Sequence, residues 1–273
     1  MSPLLVRRLW FIGATLLFSV VVLLGWYTLR AALRPDAIYT GLLLLAIVLG
    51  LALFNSRKKL PFLPLIRAAT WLQIHIYAGW LCFFIFLLHI HFRMPSGAFE
   101  LTLALVFCIV TLSGFFGLFI SRDLPPRMAR SGEALLFERI PAFRQHVQLE
   151  VETLVRQAEK ETESSTLGDF YVEYLRGFFT ARPGPLSALR RNDRNWHALI
   201  AEAKGLDRYL NDKEKTIAAE IRDWIETKQN LDFQDASQRL LKLWLFVHIP
   251  FTYSLIILGL VHGIVAMLHM GRW

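Results

Sequence analysis

The stretch from Trp71 to Phe92, WLQIHIYAGWLCFFIFLLHIHF, is a long apolar run that carries two histidines fourteen residues apart, His75 and His89. Its length suits a helix that crosses a bilayer core, which needs about 20 apolar residues. Fourteen residues make just under four helical turns, so the two imidazoles lie within about 40° of one face and roughly 21 Å apart along the axis. The run therefore predicts one spanning helix with an imidazole at each of two heights.

A second apolar run repeats the pattern near the other end of the chain. Leu243 to His269 carries His248 and His262, again fourteen residues apart. Ionisable side chains inside a membrane helix are costly and usually mark function. A single such histidine is readily explained by a hydrogen bond to a neighbouring backbone carbonyl, but two equally spaced pairs are not. We therefore expect two helices that place paired imidazoles at matching heights.

The composition favours a membrane protein. Hydrophobic residues make up 55% of the chain, and the net charge of +8 is better explained by basic cytoplasmic loops than by nucleic-acid binding. The two cysteines, Cys82 and Cys108, lie inside apolar runs and form neither CxxC nor CxxCH. This pattern argues against a disulfide framework, a thiolate-bound cluster and covalently attached haem.

Five apolar segments are long enough, or nearly so, to cross a bilayer. The first continues too far and lacks the small-residue cleavage site of a signal peptide. The second is short unless flanking aromatic residues extend it into the interface. The five predicted spans are residues 10–29, 38–54, 70–92, 101–121 and 243–269.

Basic residues predict the orientation of these spans. They are concentrated before the first span, between the second and third, and at both ends of the long fourth connection, which places those segments in the cytoplasm. The sequence thus predicts an inner-membrane protein with a cytoplasmic N-terminus and a periplasmic C-terminus. The basic residues on the predicted cytoplasmic side include Arg7, Arg8, Arg57, Lys58, Lys59, Arg67, Arg122, Arg127, Arg130, Arg239 and Lys242.

We expect an all-α fold in three parts: spans one to four in residues 1–121, a soluble helical insertion in 122–240, and the fifth span in 241–273, which completes the bundle. The insertion is rich in charged residues, and apolar residues recur in it at helical spacing along two stripes. The stripes are Phe143-Val147-Val151-Leu154-Val155 and Ile217-Ile221-Trp224-Ile225. This pattern predicts about four amphipathic helices. Prolines at 125–126, 141, 183 and 185 are expected to interrupt them.

Neutral imidazole is a common axial ligand of non-covalently bound haem. The spacing predicts two haem b groups with bis-histidine ligation. Because both helices run in the same direction, His75 and His248 would hold the cytoplasmic-side iron, and His89 and His262 the outer-side iron.

Other residues near the histidines fit a haem site less specifically. Gly79, Gly259 and Gly263 would let a flat macrocycle approach the helices, although close helix packing explains glycines equally well. Arg93 is a candidate partner for a haem propionate, with a solvated loop charge as the alternative. His91 points about 160° away from His89 and is not expected to bind the same haem, and His269 is interpreted as an interfacial polar residue.

The histidine pattern resembles the membrane-bound di-haem cytochromes b. The closest similarity is to the ferric reductase and NADPH oxidase transmembrane domain, whose third and fifth helices carry paired histidines at similar spacing. The resemblance covers approximately residues 38–121 and 243–269, and cytochrome b subunits of bacterial oxidoreductase complexes share the principle. This chain departs from the pattern in having five predicted spans rather than six, a long helical insertion, and no GxGxxG motif.

The resemblance implies an electron-transfer subunit of a hetero-oligomeric respiratory complex rather than a self-contained reductase. Electrons would pass between a quinone or cytoplasmic partner, such as an iron–sulfur or flavin protein, and an outer partner such as a cytochrome c. Two alternatives remain open: a transporter that passes metal ions between intramembrane histidines, and a membrane sensor with a helical relay domain. The transporter interpretation expects buried carboxylates, which the apolar runs lack.

Overall fold

The computed structural model describes residues 3–53, 68–130, 137–190 and 194–269, and the chain is all helical within them. Short 3-10 segments and one π-helical segment, Tyr171–Leu175, join the α-helices. The α-helices are α1 (Pro3–Ala31), α2 (Asp36–Ala52), α3 (Ala68–His89), α4 (Ala98–Arg130), α5 (Ile140–Thr162), α6 (Thr166–Phe170), α7 (Arg176–Thr180), α8 (Arg194–Gly205) and α9 (Asp212–His269).

Within the described residues, four helices are long and apolar enough to cross a membrane. They are α1, α3, α4 and α9, and they match the first, third, fourth and fifth predicted spans. The second predicted span corresponds to α2, which has only 17 residues. These helices indicate a membrane protein.

The chain divides into two compact units. We call residues Met1–Leu118 and Leu245–Trp273 the apolar unit, and residues Phe119–Trp244 the polar unit. The helices α4 and α9 each contribute a segment to both units.

In the apolar unit, α3 packs against α1 and α2. A small core is formed by residues of α2, α3, α4 and α9. Phe86 of α3 and Phe107 of α4 stack with ring centroids 4.1 Å apart. Val48 of α2 and Leu255 of α9 are buried in the same cluster.

Most of the remaining apolar surface of this unit faces outward. On α1 the large side chains of Trp10, Leu17 and Tyr27 are each more than 60% exposed. Soluble proteins rarely leave so continuous an apolar face uncovered, whereas a lipid environment favours it.

The polar unit has a core of its own, and the two predicted helical patterns in it are confirmed. Val147, Val151 and Val155 of α5 are buried, as are Ile221 and Ile225 of α9. The other members of the two predicted stripes are buried in this cluster or packed against it: Phe143, Leu154, Ile217 and Trp224.

A lysine with no exposed surface ties α9 to the segment that ends α7. The Nζ of Lys228 donates hydrogen bonds to the carbonyls of Phe178 and Ala181, at 3.2 and 3.1 Å, and to the carboxylate of Asp232. The ammonium group thereby satisfies carbonyls at the end of a helix that have no intrahelical partner. Burial is the main reason that the pKa of Lys228 is lowered.

Arginines surround a second buried carboxylate one turn further along α9. Arg144 donates to Asp235 at 3.0 Å, Arg182 donates to it at 3.1 Å, and Arg239 lies 3.2 Å from it. Burial alone would raise the pKa of Asp235, but the hydrogen bonds from Arg182 and Arg144 hold it below its ordinary value. The cluster joins α5, α9 and the segment after α7.

The prolines at 125 and 126 do not end α4, although the sequence predicts an interruption there. Both lie inside the helix, which continues to Arg130. Ile120 and Leu124 are completely buried in the polar unit, and Arg127 pairs with Asp123 at 2.9 Å and donates to the carbonyl of Ala188. This packing offsets the hydrogen bonds that two prolines remove from a helix.

A capping box begins α9. The backbone N–H of Glu214 donates to the Asn211 side chain, and the backbone N–H of Asn211 donates to the Glu214 carboxylate, both at 2.9 Å. Two helix-terminal N–H groups are thus satisfied reciprocally.

Replacing Lys228 with methionine should strongly destabilise the polar unit. The change keeps most of the side-chain volume but leaves buried carbonyls and Asp232 without their donor, which costs about 3 kcal/mol. Thermal unfolding of the full chain in detergent would measure the loss. Lys213→Met, at an exposed position of the same helix, is the control. Equal midpoints for the two variants would contradict the structural role of Lys228.

The capping box should make folding stability depend on pH in the acid range. The hydrogen bond from the Asn211 backbone holds the pKa of Glu214 below its ordinary value. Because the folded-state value is the lower one, this contribution to stability is present above the ordinary glutamate pKa of about 4.3 and disappears as pH falls through the folded-state value. We expect Glu214→Gln to be less stable than wild type at pH 7 and the difference to shrink at pH 4.

Candidate functional site

The structure brings the four predicted histidines together as two pairs within the apolar unit. His89 of α3 and His262 of α9 have ring centroids 6.2 Å apart, with ring planes at 87°. His75 of α3 lies close enough to His248 of α9 to interact with it electrostatically. Each pair joins α3 to α9, as the equal spacing predicts.

An apolar cavity of about 320 Å³ adjoins the His89–His262 pair. Both histidines line it, and Phe86 and Phe107 form part of its wall. The rest of its lining is aliphatic or glycine, with Met267 near one end. The cavity therefore presents two imidazoles to a space that is otherwise apolar.

Hydrogen bonds fix which nitrogen of His89 carries the proton. Its Nδ1 lies 2.9 Å from the carbonyl of Ala37 and 3.2 Å from Oγ1 of Thr40. A carbonyl can only accept, so Nδ1 is the protonated nitrogen and donates to it. Nε2 keeps its lone pair, which is the form of imidazole that binds a metal.

His248 is oriented by a side chain of α4. Its Nδ1 lies 2.7 Å from Oγ of Ser113. Pro250 lies inside α9, and Thr252 donates to the carbonyl of His248 at 2.7 Å.

The separation of His89 and His262 allows both rings to approach one metal ion. A metal–imidazole bond is about 2 Å long, so two imidazoles that share a metal lie close together. The two ring centroids are 6.2 Å apart. An apolar cavity beside a protonated Nδ1 and a free Nε2 also suits a non-covalently held macrocycle. The two histidines and the apolar lining of the cavity therefore fit a haem.

A protein site for a bare metal ion usually needs three or more ligating side chains close together. Within the part of the chain that the structure describes, no three or more His, Cys, Asp or Glu side chains are grouped to hold an ion.

The three predicted glycines differ in whether they line this cavity. Gly259 and Gly263 line the cavity, and a Cβ at either position would meet the side chain of Leu45 at 3.6 and 3.8 Å. A Cβ at Gly79 would meet nothing within 4 Å, and Gly79 does not line this cavity. The assignment of Gly79 to a haem site stays a prediction.

Three polar residues that follow His89 or His262 in the chain differ in their contacts. Arg93 is exposed in the turn after α3, and its role toward a propionate stays a prediction. His91 binds Asp36 through Nε2 at 2.7 Å and adopts a left-handed backbone conformation with φ of 51°. The Nδ1 of His269 bonds the carbonyl of Val265 on its own helix.

Sequence reasoning missed the residues that support the histidines. Thr40 and Ser113 contact His89 and His248, and Gly41 and Gly114 lie against the same two rings. The available signal was a hydroxyl residue followed by glycine inside an apolar helix. Small polar residues in such helices usually bond their own backbone, so the signal is weak alone.

Comparisons with protein-family models, with characterised proteins and with solved structures find no match to this chain.

Proposed function

We propose that the chain is a transmembrane di-haem b-type cytochrome, a subunit that carries electrons across a membrane. The observation that carries the proposal is the His89–His262 pair, with ring centroids 6.2 Å apart beside an apolar cavity. The second pair, His75 and His248, occurs fourteen residues earlier on each of the same two helices. Two equivalent ligand pairs at two levels support two haems.

When bound, haem would supply one-electron chemistry at its iron. The chain's own residues bind, orient and enclose it. His89 directs Nε2 away from its hydrogen-bonded Nδ1, and His262 faces it across the pair. The aliphatic lining keeps water away, and a dry surround together with the imidazole hydrogen bonds tunes the redox potential.

The proposed topology has five spans, with α2 as the second. The N-terminus lies in the cytoplasm, the C-terminus in the periplasm, and the membrane is the inner membrane. The polar unit is then a cytoplasmic helical insertion that docks a redox partner. That partner is an iron–sulfur or flavin protein, or electrons enter from the quinone pool. A cytochrome c exchanges electrons at the outer side.

Haem content is the decisive measurement. Purified wild-type protein should show a reduced-minus-oxidised spectrum of bis-histidine haem b with two haems per chain. His89→Ala and His262→Ala should each lose one haem and leave the other spectroscopically intact, because each removes a ligand from the same pair. Haem would be counted per chain by extraction.

His146→Ala is the control for these variants. His146 lies on α5 in the polar unit, and its side chain is 54% exposed. It should keep two haems. A colourless wild-type protein, or equal haem content in all four proteins, would reject the proposal.

A further inference from the structure

Two helices each carry a hydroxyl residue followed by glycine, and each of these dipeptides lies near one of the histidine pairs. Thr40-Gly41 of α2 lies against His89, and Ser113-Gly114 of α4 lies against His248. In both, the hydroxyl residue comes first and meets Nδ1, and the glycine faces the edge of the ring at Cε1.

This pairing is not a general feature of the glycines in the chain. Among the glycines in the described helices, Gly41 and Gly114 are the two that follow a serine or threonine. A Cβ added at either glycine would come within 4 Å of a ring of the predicted histidines. Small residues at helix contacts are common in membrane proteins, but this placement is selective for the two imidazoles.

The hydroxyl groups act as acceptors for the imidazoles. Ser113 Oγ donates its proton to the carbonyl of Val110 at 2.8 Å. A hydroxyl has one proton to give, so its oxygen accepts the Nδ1 proton of His248. Thr40 likewise donates to backbone carbonyls of its own helix, at 2.9 Å for Asp36, and accepts from His89. For His248 this hydrogen bond assigns the proton to Nδ1. For His89 the carbonyl of Ala37 assigns it, and Thr40 Oγ1 is a second, longer contact at 3.2 Å.

The glycines provide room for the rings, to different degrees. A Cβ at Gly41 would come within 3.0 Å of Cε1 and 3.4 Å of Nδ1 of His89, closer than side chains ordinarily approach. At Gly114 the Cβ would lie 3.7 Å from Cε1 of His248, an ordinary van der Waals contact. Alanine at position 41 would therefore require the His89 ring to move by a few tenths of an ångström, whereas alanine fits at Gly114.

We propose that the Ser113 hydroxyl holds His248 in the Nδ1-protonated tautomer, and that Thr40 and Gly41 position the ring of His89, whose Nδ1 proton is donated to Ala37. In both rings Nε2 is then directed to iron. This inference rests on the proposed function and deepens it, because it names the residues that preorganise the ligands. Partners that bond the second nitrogen of a metal-bound histidine typically contribute about 10- to 100-fold to metal affinity.

The first experiment needs no haem. In haem-free protein with ¹⁵N-labelled histidine, NMR shifts distinguish the two neutral tautomers, and His248 should carry its proton on Nδ1. Ser113→Ala should reduce that population, whereas Ser113→Thr should retain it because the hydroxyl remains. Thr102→Ala is the control, since this exposed α4 hydroxyl donates to the carbonyl of Ala98 on its own helix. A wild-type His248 protonated on Nε2 would overturn the inference.

The second experiment measures haem binding in the full chain. Ser113→Ala should lower the affinity of one site for haem by about 10- to 100-fold, and Ser113→Thr should restore most of it. The midpoint potential of that haem should shift in Ser113→Ala while the other haem keeps its value. Unchanged affinity and potential would contradict a positioning role for Ser113.

The glycines give a matched pair of variants. Gly41→Ala should displace His89 and change the spectrum or occupancy of the outer haem, whereas Gly114→Ala should leave both haems unchanged. Equal behaviour of the two variants would reject the role of Gly41.

The outcomes also separate this inference from the proposed function. A colourless wild-type protein with the expected tautomer would reject the haem proposal alone. A haem-loaded protein whose haem affinity and midpoint potential do not change in Ser113→Ala would reject only the positioning role.

Discussion

An imidazole inside an apolar helix bundle needs an acceptor for its N–H proton, because an unpaired donor away from water costs free energy. His89 meets this need at the carbonyl of Ala37, and His248 meets it at the hydroxyl of Ser113. Once Nδ1 is engaged, the remaining nitrogen of each ring is a lone-pair donor. The tautomer of each imidazole therefore depends on the neighbouring groups that accept its N–H proton.

The two units are stabilised by different interactions. The apolar unit buries few side chains completely and leaves wide apolar faces on α1, as expected of helices surrounded by lipid. The polar unit has a buried aliphatic core and a cluster of charges around Lys228, Asp232 and Asp235. Each of these buried charges has several partners, and without them its burial would be unfavourable.

Part of this arrangement was predictable from sequence. Spacing alone paired His75 with His248 and His89 with His262, because a repeated interval on two parallel helices leaves few other registers. Helical periodicity also identified Val147, Val151 and Val155 as core residues. The capping box at Asn211 and Glu214 has a short signature that the sequence also contains.

Other features depend on contacts that a linear pattern does not encode. Nothing in the sequence distinguishes Ser113, which accepts from His248, from Thr102, which bonds its own helix. The role of Lys228 depends on carbonyls fifty and forty-seven residues away in the chain. The prolines of α4 signal an end to the helix, and only tertiary packing around Leu124 explains why it continues.

The hydroxyl–glycine dipeptides have a consequence for protein engineering. Thr40-Gly41 and Ser113-Gly114 each lie within a single turn of one helix, so neither requires a loop, a bulge or an additional subunit. On the proposal above, a designer could place a hydroxyl residue in a straight helix opposite a histidine to set the tautomer of that ring. The requirement is a helix pair close enough for contact, which suits artificial helix bundles built to hold a cofactor.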